Sequence, residues 1–249
     1  MRRRRSASDG STAPAAAADP ARGIELRDVG HAYGERTVLT DLTVTLHEQR
    51  VGVVGANGSG KSTLARLLNG LVLPTSGEVL VDGLSTATEL RAVRRRVGFV
   101  FQDPDAQIVH PTVAEDVAYG LQNQGVPPAE RATRVAEALV RFGLDGHADH
   151  PAHLLSGGQK QLLAIAGVVV MRPHRIVFDE PTTLLDLLNT RRIADLITTL
   201  DERVVVVTHD LDLLTDFDRV LVVDRGRIAA DDAPAPALAA YRALMDARR

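Results

Sequence analysis

The segment Gly55-Ala56-Asn57-Gly58-Ser59-Gly60-Lys61-Ser62-Thr63 constrains the fold more than any other part of this sequence. It matches the pattern Gly-x-x-x-x-Gly-Lys-Ser/Thr in full, and it follows Val51 to Val54, a short apolar run typical of a buried strand. Glycines let successive backbone amides turn toward one anion. The segment therefore predicts a phosphate-binding loop between a strand and a helix, and we call it the phosphate loop. A glycine-rich structural turn is the plain alternative, but the flanking strand and helix disfavour it.

The chemistry of such loops assigns roles to particular residues. Lys61 is expected to reach the β and γ phosphates of a nucleotide, and the Ser62 hydroxyl to ligate Mg²⁺. The second metal contact should be an aspartate at the end of a buried strand, and Asp179 follows the apolar run Ile176 to Phe178. Asp179 would hold the metal through its waters, and Glu180 would polarise the attacking water. Without the phosphate loop, these carboxylates would more simply be the polar end of a strand.

A second loop, Leu155-Ser156-Gly157-Gly158-Gln159, also has anion-binding features. Ser156 is suited to cap the helix that follows, and Gly157 and Gly158 expose backbone amides at the positive end of that helix. A lone Ser-Gly-Gly is more often a linker turn or a helix cap.

Short β-branched runs alternate with helical stretches from Ile24 onward, which predicts a mixed sheet flanked by helices. Ile24 to Val29 and Val38 to Leu46 are candidates for an antiparallel pair. Two or three consecutive helices between about residues 112 and 171 indicate a separate helical lobe, and Thr112 begins a capping-box pattern. Residues 1–22 lack hydrophobic periodicity and predict a disordered tail ahead of one domain over 23–249.

Composition excludes several function classes. A formal net charge of −3 gives no broad basic field, so no nucleic-acid partner is expected. The absence of cysteine excludes disulfides and thiolate metal sites. The longest apolar run, Leu162 to Met171, is about half of what a membrane-spanning helix needs.

Taken together, these motifs resemble the nucleotide-binding subunits of ATP-binding-cassette (ABC) transporters over Ile24 to Asp224. Leu155 to Gln159 matches the signature of that family in full, and we call it the signature loop. The resemblance implies an α/β fold, namely a P-loop NTPase ABC nucleotide-binding domain with a mixed β-sheet core, an antiparallel β subdomain and an inserted α-helical subdomain. It also implies ATP and Mg²⁺ as cofactors and ATP hydrolysis as the activity. Ser156, Gly157, Gly158 and Gln159 would contact a nucleotide held by the phosphate loop of another subunit.

Three further positions take roles from the resemblance. Tyr33 lies where the family stacks an aromatic ring on adenine, Gln102 where a glutamine touches magnesium and water, and His209 where a histidine contacts the γ phosphate. Glu180, His209 and Gln102 are then the implied catalytic residues, and Ser62, Gln102 and Asp179 the implied metal contacts. A packing tyrosine at a hairpin and a satisfied loop histidine remain the plain alternatives. Thr183-Leu184-Leu185-Asp186 replaces the commoner Ser-Ala-Leu-Asp, which leaves the contacts across a dimer open.

The resemblance also implies partners. In the family two cassettes meet head to tail, so a second ABC ATPase subunit, identical or different, is expected. Gln102 to Gln107 and Val113 to Gly120 are most similar to ATPases of energy-coupling-factor (ECF) importers of the biotin and cobalt type. This implies a transmembrane scaffold subunit, a substrate-binding membrane subunit and a peripheral location at the cytoplasmic face of the cell membrane. Leu162 to Ala166, together with Asp179 to Asp186, looks closest to the biotin-importer ATPases. A cobalt or nickel importer ATPase and a soluble ABC ATPase acting on nucleic acid or ribosomes are the alternatives.

A group of histidines offers a separate metal-site hypothesis. His147, His150 and His153 alternate with Asp145 and Asp149, and these side chains suit zinc or nickel. No helical or strand spacing fixes their geometry, so an exposed, solvated loop is the expectation.

Overall fold

The computed structural model describes residue 19 and residues 22–248. The predicted disordered tail lies almost wholly outside the described residues and stays a prediction. Among the described helices, none combines the length and the apolar character that crossing a membrane requires.

The larger of two sheets carries the phosphate loop. Its strands are β3 (Arg50–Val54), β6 (Val97–Val100), β7 (Arg175–Asp179), β8 (Arg203–Val207), β9 (Arg219–Asp224) and β10 (Arg227–Asp232). Their order across the sheet is β10-β9-β3-β8-β7-β6, and only the β10–β9 pair is antiparallel, which confirms the predicted mixed sheet.

The smaller sheet consists of β1 (Ile24–Tyr33), β2 (Arg36–Leu46), β4 (Ser76–Val81) and β5 (Leu84–Ser85). It is antiparallel throughout, in the order β2-β1-β4-β5. The predicted antiparallel pairing of the first two strands is confirmed, with Ile24 opposite Leu46. The β1–β2 hairpin closes with Tyr33 opposite Arg36, around Gly34 at φ +60°. Glycine adopts this left-handed conformation at little cost.

Helices flank the larger sheet. They are α1 (Lys61–Leu67), α2 (Leu90–Arg96), α3 (Val113–Asn123), α4 (Pro128–Phe142), α5 (Gly157–Val169), α6 (Leu187–Thr198) and α7 (Pro234–Asp246). The predicted capping box at Thr112 is confirmed, with the Glu115 amide donating to the Thr112 hydroxyl at 3.4 Å. Helix α4 buries its apolar face and ends at Gly143, which takes φ +66°. Three helices, α3 to α5, follow one another as expected, while the limits of the helical lobe near 112 and 171 stay a prediction.

Side chains alternate between the two faces of the larger sheet and join two apolar clusters. On β7, Ile176 and Phe178 pack in a cluster with α3, α4 and α5, whereas Val177 packs in a cluster with α1 and the smaller sheet. All three side chains are fully buried. Because both faces of β7 are covered, the position of its last residues is determined from both sides.

A buried ion pair ties the smaller sheet to the start of β7. Asp82, in the turn after β4, is fully buried, and its Oδ1 accepts a 2.6 Å hydrogen bond from Nη1 of Arg175. Arg96 and His174 approach the other oxygen at 3.6 and 3.4 Å. Burial lowers the pKa of Arg175, and the charge of Asp82 opposes that shift. Asp82 therefore supplies the counter-charge for a buried guanidinium.

Replacing Asp82 with Asn should lower the free energy of unfolding by about 3 kcal/mol, because a buried Arg175 loses its counter-charge while shape is preserved. Asn tolerates the left-handed backbone of this position, φ +53°. Urea unfolding monitored by circular dichroism measures the change. The matched control is Glu78→Gln, which removes an exposed partner 3.7 Å from Arg27 and should change nothing measurable. Equal effects of the two changes would contradict the assignment.

Candidate functional site

Three parallel strands bring several of the predicted site residues to one edge of the larger sheet. The phosphate loop follows β3, Asp179 ends β7, and His209 lies just after β8. In the ladder, Val207 is paired with both Val53 and Asp179. Because parallel strands end at the same edge, the loops after them converge there.

Glycine is required at two positions of the phosphate loop. A Cβ on Gly55 would lie 2.1 Å from the carbonyl oxygen of Val223, and one on Gly60 would lie 2.6 Å from the Leu39 side chain. Gly60 also takes φ +106°, a backbone conformation that disfavours other residues. The loop is therefore packed tightly from behind, and its front lines a cleft of about 370 Å³.

Lys61 lies across the phosphate loop. Its Nζ donates to the carbonyl oxygens of Gly55 at 2.8 Å and Ala56 at 3.1 Å. Burial lowers the pKa of Lys61, and the negative charges of Glu180 and Asp179 oppose the shift. An ammonium carries three protons, so one donor is left for an anion in the cleft.

Ser62 and Asp179 form the candidate metal site. The Ser62 hydroxyl donates to Oδ1 of Asp179 at 2.8 Å, and Arg66 lies 3.9 Å from the other oxygen. Asp179 is only 2% exposed, and this burial raises its pKa, while the hydrogen bond from Ser62 opposes the rise. A hydroxyl and a carboxylate are both hard oxygen donors, which are the ligands that Mg²⁺ prefers. The residues present therefore fit a magnesium ion.

Glu180 is oriented by two neighbours. It takes φ +50°, so the chain turns sharply where β7 ends, at a cost of about 1–3 kcal/mol. Its Oε2 accepts a hydrogen bond from the Thr183 hydroxyl at 2.8 Å and lies 3.3 Å from Nδ1 of His209. The substitution of Thr for the commoner Ser at position 183 thus keeps a hydroxyl on this carboxylate. The role of Thr183 is not visible in the sequence pattern.

The signature loop is a capped helix start, as predicted. The amide of Gln159 donates to the Ser156 hydroxyl at 3.3 Å, and the amide of Ser156 donates to Oε1 of Gln159 at 2.9 Å. These two bonds form a capping box at the start of α5. The Ser156 hydroxyl accepts in this arrangement, so its proton is available for an anion outside the helix.

Asn189 packs against the signature loop. Asp186 caps α6 by accepting from the Asn189 amide at 2.8 Å, and it also accepts from the Asn189 side chain at 3.0 Å. The Asn189 side chain lies so close to Gly158 that a Cβ there would be 2.3 Å from Oδ1. The start of α6 and the signature loop are thus in direct contact.

Gln102 lies in a loop that is fastened to α5. Gln107 accepts from the amide of Phe101 at 3.0 Å and donates to the carbonyl of Ala164 at 2.9 Å. Lys160 forms a 2.7 Å ion pair with Asp105. Gln102 itself is exposed and lines a small cavity of about 140 Å³.

The predicted site residues fall into two groups. The cleft at the phosphate loop is lined by Asn57, Gly58, Gly60, Lys61, Ser62, Thr63, Tyr33, Arg36, Val38 and Glu180. Tyr33 is half exposed, and the hairpin pairs it with Arg36, a residue that the sequence patterns missed. Gln102 and the signature loop are absent from the described lining of this cleft; Gln102 and Gly157 line the smaller cavity instead. Within one chain, the two anion-binding loops therefore do not share a site.

The described residues contain no group of three histidine, cysteine or acidic side chains that could hold a metal ion. His150 and His153 are exposed, as expected of a solvated loop. His147 differs from that expectation, since its ring is partly buried and its Nε2 lies 3.1 Å from Nε2 of Gln159.

Comparisons with known proteins agree with this geometry. A family model described as "ABC transporter" matches residues 39–183. A protein of Deinococcus radiodurans is 61% identical over 89% of this chain and 98% of its own length. Its name describes it as an ABC transporter ATP-binding protein and states no substrate. The biotin transport ATP-binding protein BioM of Rhizobium etli is 45% identical over 89% of this chain and 98% of its own length. The cobalt import ATP-binding protein CbiO of Syntrophus aciditrophicus is 46% identical over 85% of this chain and 78% of its own length.

Solved structures show the same fold. CbiO1 of Clostridium perfringens, described as part of the ABC transporter complex cbiONQ, superposes with a TM-score of 0.78 at 32% identity, covering 90% of this chain and 93% of that one. The ATP-binding cassette MJ0796, in a dimeric post-hydrolysis state bound to ADP and Pi, superposes with a TM-score of 0.76 at 32% identity, covering 85% and 98%.

Exchanging Gly158 for Ala should lower the free energy of unfolding by about 1–3 kcal/mol, because the new methyl group must displace the Asn189 side chain from its bonds to Asp186. Thermal or urea unfolding measures the effect. Gly157→Ala is the matched control, since a Cβ at Gly157 has no heavy atom within 4 Å. That variant should be neutral or slightly stabilising. A neutral Gly158 variant would show that Asn189 does not restrict this position.

Proposed function

Because the chain belongs to the ABC transporter family, we propose that it is the ATP-hydrolysing subunit of an energy-coupling-factor importer, with biotin as the cargo. The main support for this proposal is the similarity to a biotin transport ATP-binding protein over 98% of the length of that protein. The similarity to a cobalt import ATPase runs over 78% of the length of that relative, and cobalt or nickel is the alternative cargo.

The phosphate loop and Tyr33 bind the nucleotide in this proposal. The amides of the loop and the free donor of Lys61 contact the β and γ phosphates, and the hydroxyls of Ser62 and Thr63 face the same cleft. Tyr33 lines the cleft, and its half-exposed ring can stack on adenine. Ser62 and Asp179 would hold Mg²⁺, which would supply charge neutralisation and Lewis acidity at the phosphates. The metal contact of Gln102, which lines the separate small cavity, stays a prediction.

Glu180 acts as the general base. Its carboxylate borders the phosphate cleft, and the Thr183 hydroxyl fixes one oxygen, so the other can accept a proton from the attacking water. His209 touches the oxygen that Thr183 binds and carries a second ring nitrogen for the γ phosphate. Glu180 follows β7 directly and takes a left-handed backbone conformation, so the strand determines where its carboxylate lies.

A second ABC subunit completes the site. The signature loop has the Ser156 proton and the amides of Gly157 and Gly158 as donors, and it does not line the phosphate cleft of its own chain. Head-to-tail pairing of two cassettes brings this donor set to the nucleotide of the partner, and the dimeric state of MJ0796 supports such pairing. ATP then lies between two subunits, and its hydrolysis removes the contact that joins them.

A groove beside the Gln102 loop suits the membrane scaffold. It has a volume of about 320 Å³ and is lined mainly by apolar side chains, including Phe99, Phe101, Tyr119 and Met171. Val109 at its edge is 64% exposed, and Tyr119 is 43% exposed. Exposed apolar grooves of this kind bind amphipathic helices. We place the chain at the cytoplasmic face of the cell membrane as a peripheral subunit, with a separate membrane subunit that binds the cargo.

A soluble ABC ATPase acting on nucleic acid or ribosomes is the remaining alternative. The net charge of −3 and the balanced composition do not favour a polyanionic partner.

Changing Glu180 to Gln should leave ATP binding intact and lower turnover in the assembled transporter by about 10²- to 10⁴-fold, since the amide cannot take a proton. Because the nucleotide then persists, the ATP-bound dimer should accumulate. Phosphate release and size-exclusion chromatography with ATP measure the two effects, and Glu137→Gln, an exposed carboxylate on α4, is the control. Normal turnover in the Glu180 variant would refute the base assignment.

Deleting the protein should abolish uptake of labelled biotin in cells and leave cobalt uptake unchanged. Complementation with the wild type, but not with the Glu180 variant, should restore biotin uptake. Loss of cobalt uptake alone would select the alternative cargo. If neither uptake changes and the purified protein is retained on ribosomes or DNA, the importer proposal is wrong.

A further inference from the structure

We infer that His147 is a positioning residue for the signature loop, and that it acts by accepting a hydrogen bond from the side-chain amide of Gln159. The inference rests on the proposed function, in which the signature loop completes the ATP site of a second subunit. His147 lies in the short turn Asp145–His147 between α4 and the signature loop. Its Nε2 is 3.1 Å from Nε2 of Gln159.

The capping box determines which way the Gln159 amide faces. Oε1 of Gln159 is 2.9 Å from the backbone nitrogen of Ser156, and a backbone N–H can only donate. The oxygen must therefore face Ser156, and the NH₂ group must face His147. Rotating the amide by half a turn would place two donors against each other at Ser156, so this orientation follows from the bonding pattern.

The same reasoning assigns the tautomer of His147. Because the group facing it is a donor, Nε2 of the imidazole must carry the lone pair and Nδ1 the proton. Nδ1 is buried and has no hydrogen-bond partner among the described residues, and the ring packs beside that of His150, with ring centres 5.2 Å apart. The ring is therefore held by its Nε2 contact and by packing.

Backbone hydrogen bonds on both sides of His147 fix its position. The amide of His147 donates to the carbonyl of Leu144 at 2.9 Å. Immediately after it, the carbonyl of Ala148 accepts from the amide of Ala114 at 2.9 Å, and the carbonyl of His150 accepts from Val113 at 3.2 Å. His147 thus transmits the position of the first turn of α3 to Gln159.

Gln159 in turn holds Ser156. With its amide clamped between His147 and the Ser156 backbone, Gln159 cannot rotate away from the cap. The Ser156 hydroxyl then stays committed to accepting from the Gln159 amide, and its proton stays directed outward. Without His147, the Gln159 side chain regains rotameric freedom. The Ser156 hydroxyl is then no longer held in one orientation toward the γ phosphate of the nucleotide bound by the second subunit.

Two substitutions separate this hydrogen bond from simple packing. His147→Leu keeps a similar volume and removes the acceptor, whereas His147→Gln keeps an acceptor oxygen near the position of Nε2. In the assembled transporter, the Leu variant should lower kcat by about tenfold, and the Gln variant should stay within about twofold of the wild type. Nucleotide affinity of the isolated subunit should stay unchanged in both, because the phosphate loop is untouched. His153→Leu, the same change at an exposed position of the same loop, should have no effect.

A double-mutant cycle tests whether His147 acts through Gln159. In a Gln159→Leu background, His147→Leu should cause no further loss of kcat. Additive losses, or equal activity of the Leu and Gln variants at position 147, would overturn the inference. Melting temperatures of all variants identify any loss that comes from unfolding alone, and a loss explained in this way would also count against it. Ser156→Ala is the reference variant. If its kcat is normal, the proposed two-subunit site is wrong. If its kcat is lowered while that of His147→Leu is normal, only the inferred role of His147 is refuted.

Discussion

Parallel pairing of β3 with β8, and of β8 with β7, is the constraint on which the candidate site depends. Val207 is paired with Val53 on one side and Asp179 on the other, so three segments that are far apart in the chain end at the same level of the sheet. The amide of Glu180 continues this ladder by donating to the carbonyl of Val207 at 2.8 Å. The Ser62–Asp179 hydrogen bond is possible only because the register places both residues at that edge. A one-residue slip would turn these side chains to the other face.

The signature loop depends on a different set of contacts. It is supported by its own capping box, by Asn189 from the start of α6, and by His147 from the turn after α4. All of these lie within one chain, so the loop is preformed before a partner arrives. This preorganisation limits the entropy lost when two subunits close on a nucleotide. In the proposed two-subunit arrangement, the ATP site would therefore be assembled from two preformed halves, each built by separate packing.

Local patterns were sufficient to predict a loop between a strand and a helix at Gly55 to Thr63, the position of Asp179 at the end of a strand, and the capping box at Thr112, because each depends on spacing within a short segment. The ABC fold was predictable from the order of these motifs. Helix α6 and strand β10 were not predicted: α6 begins with the exposed Leu187 and Leu188, which blur its periodicity, and β10 is a largely exposed edge strand. The roles of Thr183 and His147 were also missed, because they arise from contacts between segments that no sequence spacing records.

The two attachments between the Gln102 loop and α5 have a mechanical consequence. Asp105 binds Lys160 and Gln107 binds Ala164, so the loop holds the helix at two points about one turn apart. A single attachment would act as a pivot, about which the helix could swing, but two attachments resist rotation. A displacement of the Gln102 loop would therefore move the start of α5, including Ser156, as one unit rather than bend the helix.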